Sequence, residues 1–289
     1  MLAVYKRELR SYFSGPMGWL YLAFLAAMIG ILTRVTCFVG GYSGFEQVLA
    51  SMLFMIVTIL SVCLLTMRSL SEERRQKTDQ LLYSLPLRTG KIILGKYLAM
   101  LTVVALLCVV LCAYPLVMGR YGVVNYASAY TGIFGYFGLC AVLLAIGLFA
   151  SSLTENQVVA AVIAMAMMFA AFLMSSIAGY LPATGFASLC ALWAASVALG
   201  LILWVMTRSA LFSVAVGAGC AVLVGALYFF NAVWFEGLVQ TVLSGASVFD
   251  RFYRMIMGTL DWTTIFFDVT VTALFLFFAV QSMEKRRWS

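Results

Sequence analysis

Histidine is absent from this 289-residue chain, and only 10% of its residues are charged. The first absence removes the commonest proton shuttle and the commonest metal ligand. The second is more decisive. An ordinary soluble domain carries about 25% charged residues, and a soluble fold could not cover a 64% hydrophobic composition with so few. Catalytic signatures are missing too. There is no G-x-x-x-x-G-K-S/T loop to cradle a nucleotide, no G-x-S-x-G elbow, no H-E-x-x-H, and no paired-carboxylate cluster inside the apolar runs. A cytosolic enzyme, a disordered tail and a nucleic-acid reader are excluded, and no cofactor or metal is expected. What remains is an all-α polytopic membrane protein.

Crossing the hydrocarbon core takes about 20 mostly apolar residues. By that ruler the charge-free stretches predict eight passes, near 17–34, 46–67, 95–118, 131–152, 157–178, 188–206, 210–231 and 263–282. Gly179, Pro182 and Gly185 supply the turn that divides the longest stretch. The runs are continuous rather than alternating, which argues against a β-barrel. All 289 residues read as one transmembrane domain.

An even number of passes puts both termini on one side. With the N-terminus inside, the inner segments hold 14 of the 18 Lys and Arg residues, and the outer ones only Arg34, Arg120, Arg251 and Arg254. The net charge of +7 is therefore an orientation signal under the positive-inside rule, with both termini cytoplasmic. Residues 1–16 alternate Leu2, Tyr5, Leu9, Tyr12 and Phe13 against Lys6, Arg7 and Arg10, the pattern of an amphipathic helix on the inner leaflet. Gly15-Pro16 then turns the chain into the first pass.

The one long inner insertion is residues 68–94. Ser69 with Glu72 forms a capping-box pattern for a charged helix. Thr78 suits the cap of a second short helix, which Pro86 ends. Leu81, Leu82 and Leu85 have no span of their own, so they either lie back on lipid or fill a groove on another protein. On the outer side, residues 232–262 contain a stripe of Val248, Phe249, Phe252, Tyr253, Ile256, Met257 and Leu260. Ser247 and Asp250 stand at its start as a cap, predicting an interfacial helix or a lid. Asp268 is the one acid within an apolar span, about six residues or ~9 Å deep. It is a candidate intramembrane polar site, with simple hydration near the outer interface as the alternative.

The stretch T-M-R-x-x-x-E-E-R-R-x-x-T-x-x-L-L-x-x-x-P, Thr66 to Pro86, resembles the cytoplasmic loop of ABC type-2 permeases, gliding-motility-associated subunits in particular. The opening Lys6-Arg7-Glu8-Leu9-Arg10-Ser11-Tyr12-Phe13 is similar to the start of that family. So is the close, Phe249-Asp250-Arg251-Phe252, Gly258-x-x-Asp261 and Glu284-Lys285-Arg286-Arg287-Trp288. The likeness covers residues 1–95 and 245–289; between them only hydropathy agrees. It implies a six-helix core, leaving the pair at 188–231 as an elaboration. It also implies a non-catalytic permease subunit of a bacterial inner-membrane ABC exporter, working with a cytoplasmic ABC ATPase and a second permease copy. The implied ATPase-coupling residues are Glu72, Glu73, Arg74, Arg75, Thr78, Leu81, Leu82 and Pro86. The alternative is a secondary transporter or channel that needs no ATPase. Such a protein would be expected to carry ionisable or broken-helix positions at mid-membrane, of which the spans are nearly free.

Overall fold

The computed structural model describes residues 1–40, 44–76, 89–207, 210–230 and 235–288, and among these there are helices and no strands. In chain order the helices are α1 (Leu2–Ser14), α2 (Pro16–Thr33, continued by a π-helical stretch, Arg34–Val39), α3 (Phe45–Ala50), α4 (Met52–Met67) and α5 (Ser71–Arg75). They continue as α6 (Thr89–Met118), α7 (Tyr126–Leu153), α8 (Gln157–Tyr180), α9 (Gly185–Thr207), α10 (Ala210–Phe230), α11 (Leu238–Ala246), α12 (Val248–Ile256) and α13 (Trp262–Trp288). Among the described residues six helical stretches are long and apolar enough to cross a membrane. The chain is an all-α, multi-pass membrane protein. Helices also occupy the two remaining predicted positions, α9 and α10, whose described apolar parts, Gly185–Ala194 and Ala218–Phe229, are shorter.

The helix limits follow from local chemistry. Gly15 is extended, and Pro16 opens α2 in the one position where its missing N–H costs nothing. The predicted pass at 46–67 is two helices, because Ser51 is extended and its hydroxyl donates to Val48 O (2.8 Å) instead of continuing the ladder. Asn125 caps α7, its side chain accepting from Ser128 N (3.4 Å). Asp261 opens α13 by accepting from Thr263 N (2.9 Å), Thr263 Oγ1 (2.7 Å) and Thr264 Oγ1 (3.1 Å). Those hydrogen bonds, the Thr263 hydroxyl's foremost, hold its carboxyl below the ordinary aspartate range.

Two compact units divide the chain, Met1–Ala171 with Arg251–Ser289, and Phe172–Asp250. In the first unit α7 is the central post. It packs on α4, α6 and α13, while α2 lies on α4 and α6, and α1 lies along α6. α1 keeps less of its apolar stripe for lipid than the sequence predicts. Val4 is buried against Ile92, Tyr5 OH meets Thr102 Oγ1 (3.0 Å), and Leu2 is exposed. The packing face thus includes Glu8, one turn beyond Val4. Where α4 crosses α7, a side chain at Gly147 would collide with the Thr66 side chain. Gly147→Ala is therefore expected to cost about 2 kcal/mol by overpacking. Gly147→Ala/Thr66→Ala should recover only part of the loss, as read from melting temperatures of the purified chain, because Thr66 Cβ, which alanine keeps, would still stand 2.7 Å from the new methyl group.

In the second unit α9 packs on α10 and α11, and Trp193 Nε1 donates to Ala221 O (3.1 Å). Gly237 N donates to Ala183 O (3.0 Å), and Phe172 meets Phe249 edge-on at 5.0 Å. The helix predicted from Val248 begins as expected, with Asp250 N donating to Ser247 Oγ (3.2 Å). It ends at Ile256, earlier than its stripe implies, because Gly258 takes a left-handed conformation (φ 84°). Phe249, Phe252 and Met255 are buried within the protein rather than offered to an interface, and Met257 and Leu260 are left exposed.

Candidate functional site

The charged residues after Met67 gather at the end of the first unit where α1, α5 and the start of α6 meet. The chain leaves α4 through Arg68–Leu70 and forms one turn and a half of helix, α5. The predicted capping box is not made. Leu70 occupies the N-cap, and the Ser69 hydroxyl is buried without a hydrogen-bond partner among the described residues. A residue from another helix satisfies the exposed amides instead: Ser151 Oγ, in the last turn of α7, accepts from Leu70 N and Ser71 N (both 3.1 Å). Glu72, released from capping, takes Arg68 in a two-pronged pair (2.8 and 2.9 Å).

The next two residues point inward. Arg74 is 5% exposed and donates to Ser152 O, a carbonyl that also receives Ser282 Oγ of α13 at 3.0 Å. Glu73 Oε1 accepts from Lys96 Nζ (2.9 Å) and from Arg7 Nη2 (2.9 Å). Lys96 lies two turns into α6 and is 2% exposed. Its other contacts are Glu8 Oε1 (3.2 Å) and Ser69 O (2.9 Å). Three acceptors thus meet the three N–H groups of one buried ammonium. Arg7 closes the ring through Glu8 Oε1 (2.7 Å). Burial works against the Arg7 charge, yet Glu8 and Glu73 outweigh it and hold the guanidinium above its ordinary value. Arg7, Glu8, Glu73 and Lys96 therefore join α1, α5 and α6 through shared charge-assisted hydrogen bonds.

This arrangement sorts the residues predicted to couple. Glu73 and Arg74 are held by the chain's own helices, Glu72 pairs with Arg68, and Arg75 is exposed. Thr78, Leu81, Leu82 and Pro86 lie outside the described residues. Arg7, Glu8 and Lys96 are the members that sequence reasoning missed. Lys96 counts there only as an inner charge, although a lone lysine at the very edge of a long apolar run is a signal that it needs partners.

The model of the ABC-2 family transporter proteins matches residues 39–234. The chain belongs to that family. No curated protein and no solved structure gives a match. As an ABC-2 transporter protein it is a permease of an ABC transporter, a membrane transport component. The matched stretch takes in α3 to α10. It therefore includes the middle of the chain, where the sequence reading finds agreement in hydropathy alone.

Proposed function

We propose that this ABC-2 permease is one half of the membrane pathway of a bacterial inner-membrane exporter, powered by a separate cytoplasmic ABC ATPase and completed by a second permease copy. The observation that carries the reading is the sharing of one buried ammonium, Lys96, between Glu73 of α5 and Glu8 of α1. A push on α5 cannot be absorbed by a floppy loop. It reaches α1 through Glu8, α6 through Lys96, and α7 through Ser151 and Ser152. Movement imposed by nucleotide-driven closure of an ATPase would then rock three helices together. The inner bias of Lys and Arg supports the orientation, with both termini and α5 on the cytoplasmic side.

In this reading the work divides along the helix. Arg75 faces out and pairs with an acid on the ATPase, while Leu81 and Leu82 anchor in an apolar groove of the same partner. Glu73 and Arg74 face in and transmit. The test is Arg75→Glu, co-expressed with an ABC ATPase subunit that the wild-type permease captures and purified through a tag on the permease. The expected result is about tenfold weaker capture of the ATPase, ~1.4 kcal/mol, with an unchanged melting temperature. Undiminished capture would remove the docking role of this face. Transport by the permease alone in liposomes would remove the ATPase altogether.

A further inference from the structure

Asp268 lies in α13 within a membrane-crossing stretch, Trp262–Lys285, and is 8% exposed. Its Oδ1 has no hydrogen-bond partner among the described residues. Its Oδ2 rests on the backbone of α7 at Gly138, where an added Cβ would stand 2.7 Å away. The absence of a side chain at Gly138 is what lets the carboxylate lie there. Beside it a cleft of about 360 Å³ runs between α6, α7 and α13, and apart from Asp268 its walls are almost wholly apolar. Tyr97, Leu101, Phe134, Phe137, Ile265 and Leu276 line it. Phe134 is 47% exposed and Val269 62%, so the cleft opens on the flank of the unit. The Tyr97 hydroxyl is already engaged with Ala141 O (3.2 Å). Arg251, whose charge is felt at Asp268, has its guanidinium stacked on the Phe267 ring, 3.9 Å from the centroid.

A carboxylate removed from water is costly unless it meets a positive charge or a donor. In a membrane span such a group marks a site by default. An apolar wall of aromatic rings beside it sets the rest of the requirement, since rings accept both hydrocarbon and cations. We propose that this cleft binds a lipophilic amine, with its ammonium against Asp268 Oδ1 and its alkyl or aryl body along the Phe134–Phe137 wall. Entry is sideways from the bilayer. A neutral molecule of the same length lacks the group that Asp268 needs, and an anion is repelled. The proposal goes beyond the coupling reading and does not depend on it, because binding here requires no ATPase.

The experiment uses the full chain in phosphatidylcholine nanodiscs, with empty discs subtracted and tritiated dodecylamine as the probe. Wild type should bind it saturably, with displacement by unlabelled dodecylamine but not by dodecanol or dodecyl sulfate at equal membrane concentration. Asp268→Asn should weaken binding at least tenfold without lowering the melting temperature, since it removes a carboxylate whose Oδ1 none of the described residues satisfies. Gly138→Ala, which drives a methyl group into the carboxylate's place, should weaken binding in the same way. Binding by Asp268→Asn within twofold of wild type overturns the proposal, as does displacement by dodecanol equal to that by the amine. A clear fall in the melting temperature of Asp268→Asn also overturns it, by making Asp268 a structural partner instead of a ligand group.

Discussion

Lys96→Met is expected to be among the most damaging single substitutions in the charged network that joins α1, α5 and α6. Methionine fills most of the lysine's volume, so packing along α6 changes little, but the ammonium shared by Glu8 and Glu73 is gone. Their side chains are 14% and 18% exposed. Two neighbouring carboxylates would then face each other with Arg7 alone between them. Breaking one side of a buried ion pair costs about 3–5 kcal/mol, and the partial exposure of the two acids points to the lower end, about 3 kcal/mol. The direct readout is a lower melting temperature of the purified permease. Lys96→Met/Glu73→Gln should recover most of that loss, because it removes the orphaned charge with its partner. The rescued protein then asks a sharper question. Stable, but without the Glu73–Lys96–Glu8 link, it should still capture the ATPase while failing to couple hydrolysis to transport. Full coupling in the rescued variant would reduce the network to a folding device.

The reasons why Lys96 escapes a sequence reading extend to much of the site. Helix positions were legible because each depends on a local property, the length of an apolar run and the residues that bound it. Gly15-Pro16, the turn at Gly179–Gly185 and the Ser247 cap all act within a few residues. The N-terminus of α5 shows where locality fails. Ser69 and Glu72 have the spacing of a capping box, but Ser69 N donates to Thr66 O (3.1 Å), and Ser151 of α7, 81 positions away from Leu70, takes the Leu70 and Ser71 amides between them. A partner held rigidly by a neighbouring helix needs no ordering of its own, and it wins. Glu8 and Lys96 are 88 positions apart, and nothing in either segment names the other. The same holds for Gly138, whose missing side chain makes sense only once α13 is laid across α7. The apolar stripe of α12 was legible as far as Ile256. Its continuation to Leu260 failed because periodicity does not register that Gly258 has turned left-handed.

Arg74 and Arg75 are adjacent and chemically identical, which makes them a test of whether position or charge determines their roles. Arg74 donates to Ser152 O in the final turn of α7, where the carbonyls lack helical partners and carry the negative end of the helix dipole. In return Ser151, its neighbour on α7, accepts from the first amides of α5. Each helix end caps the other. Arg74→Ala removes the cationic half of that exchange and leaves Ser152 O to the Ser282 hydroxyl. A hydrogen bond to a charged group contributes about 1.5–3 kcal/mol and the favourable dipole contact about 1 kcal/mol, so a loss of about 3 kcal/mol is expected. Arg74→Lys should recover only part of it, because a single flexible ammonium lacks the planar fork. If Arg74 instead behaved like Arg75, with stability untouched and ATPase capture weakened, the inward placement that divides transmission from docking along α5 would be wrong. The expected opposition, one arginine costing stability and its neighbour costing partner affinity, follows from a single turn of helix whose two faces have different neighbours.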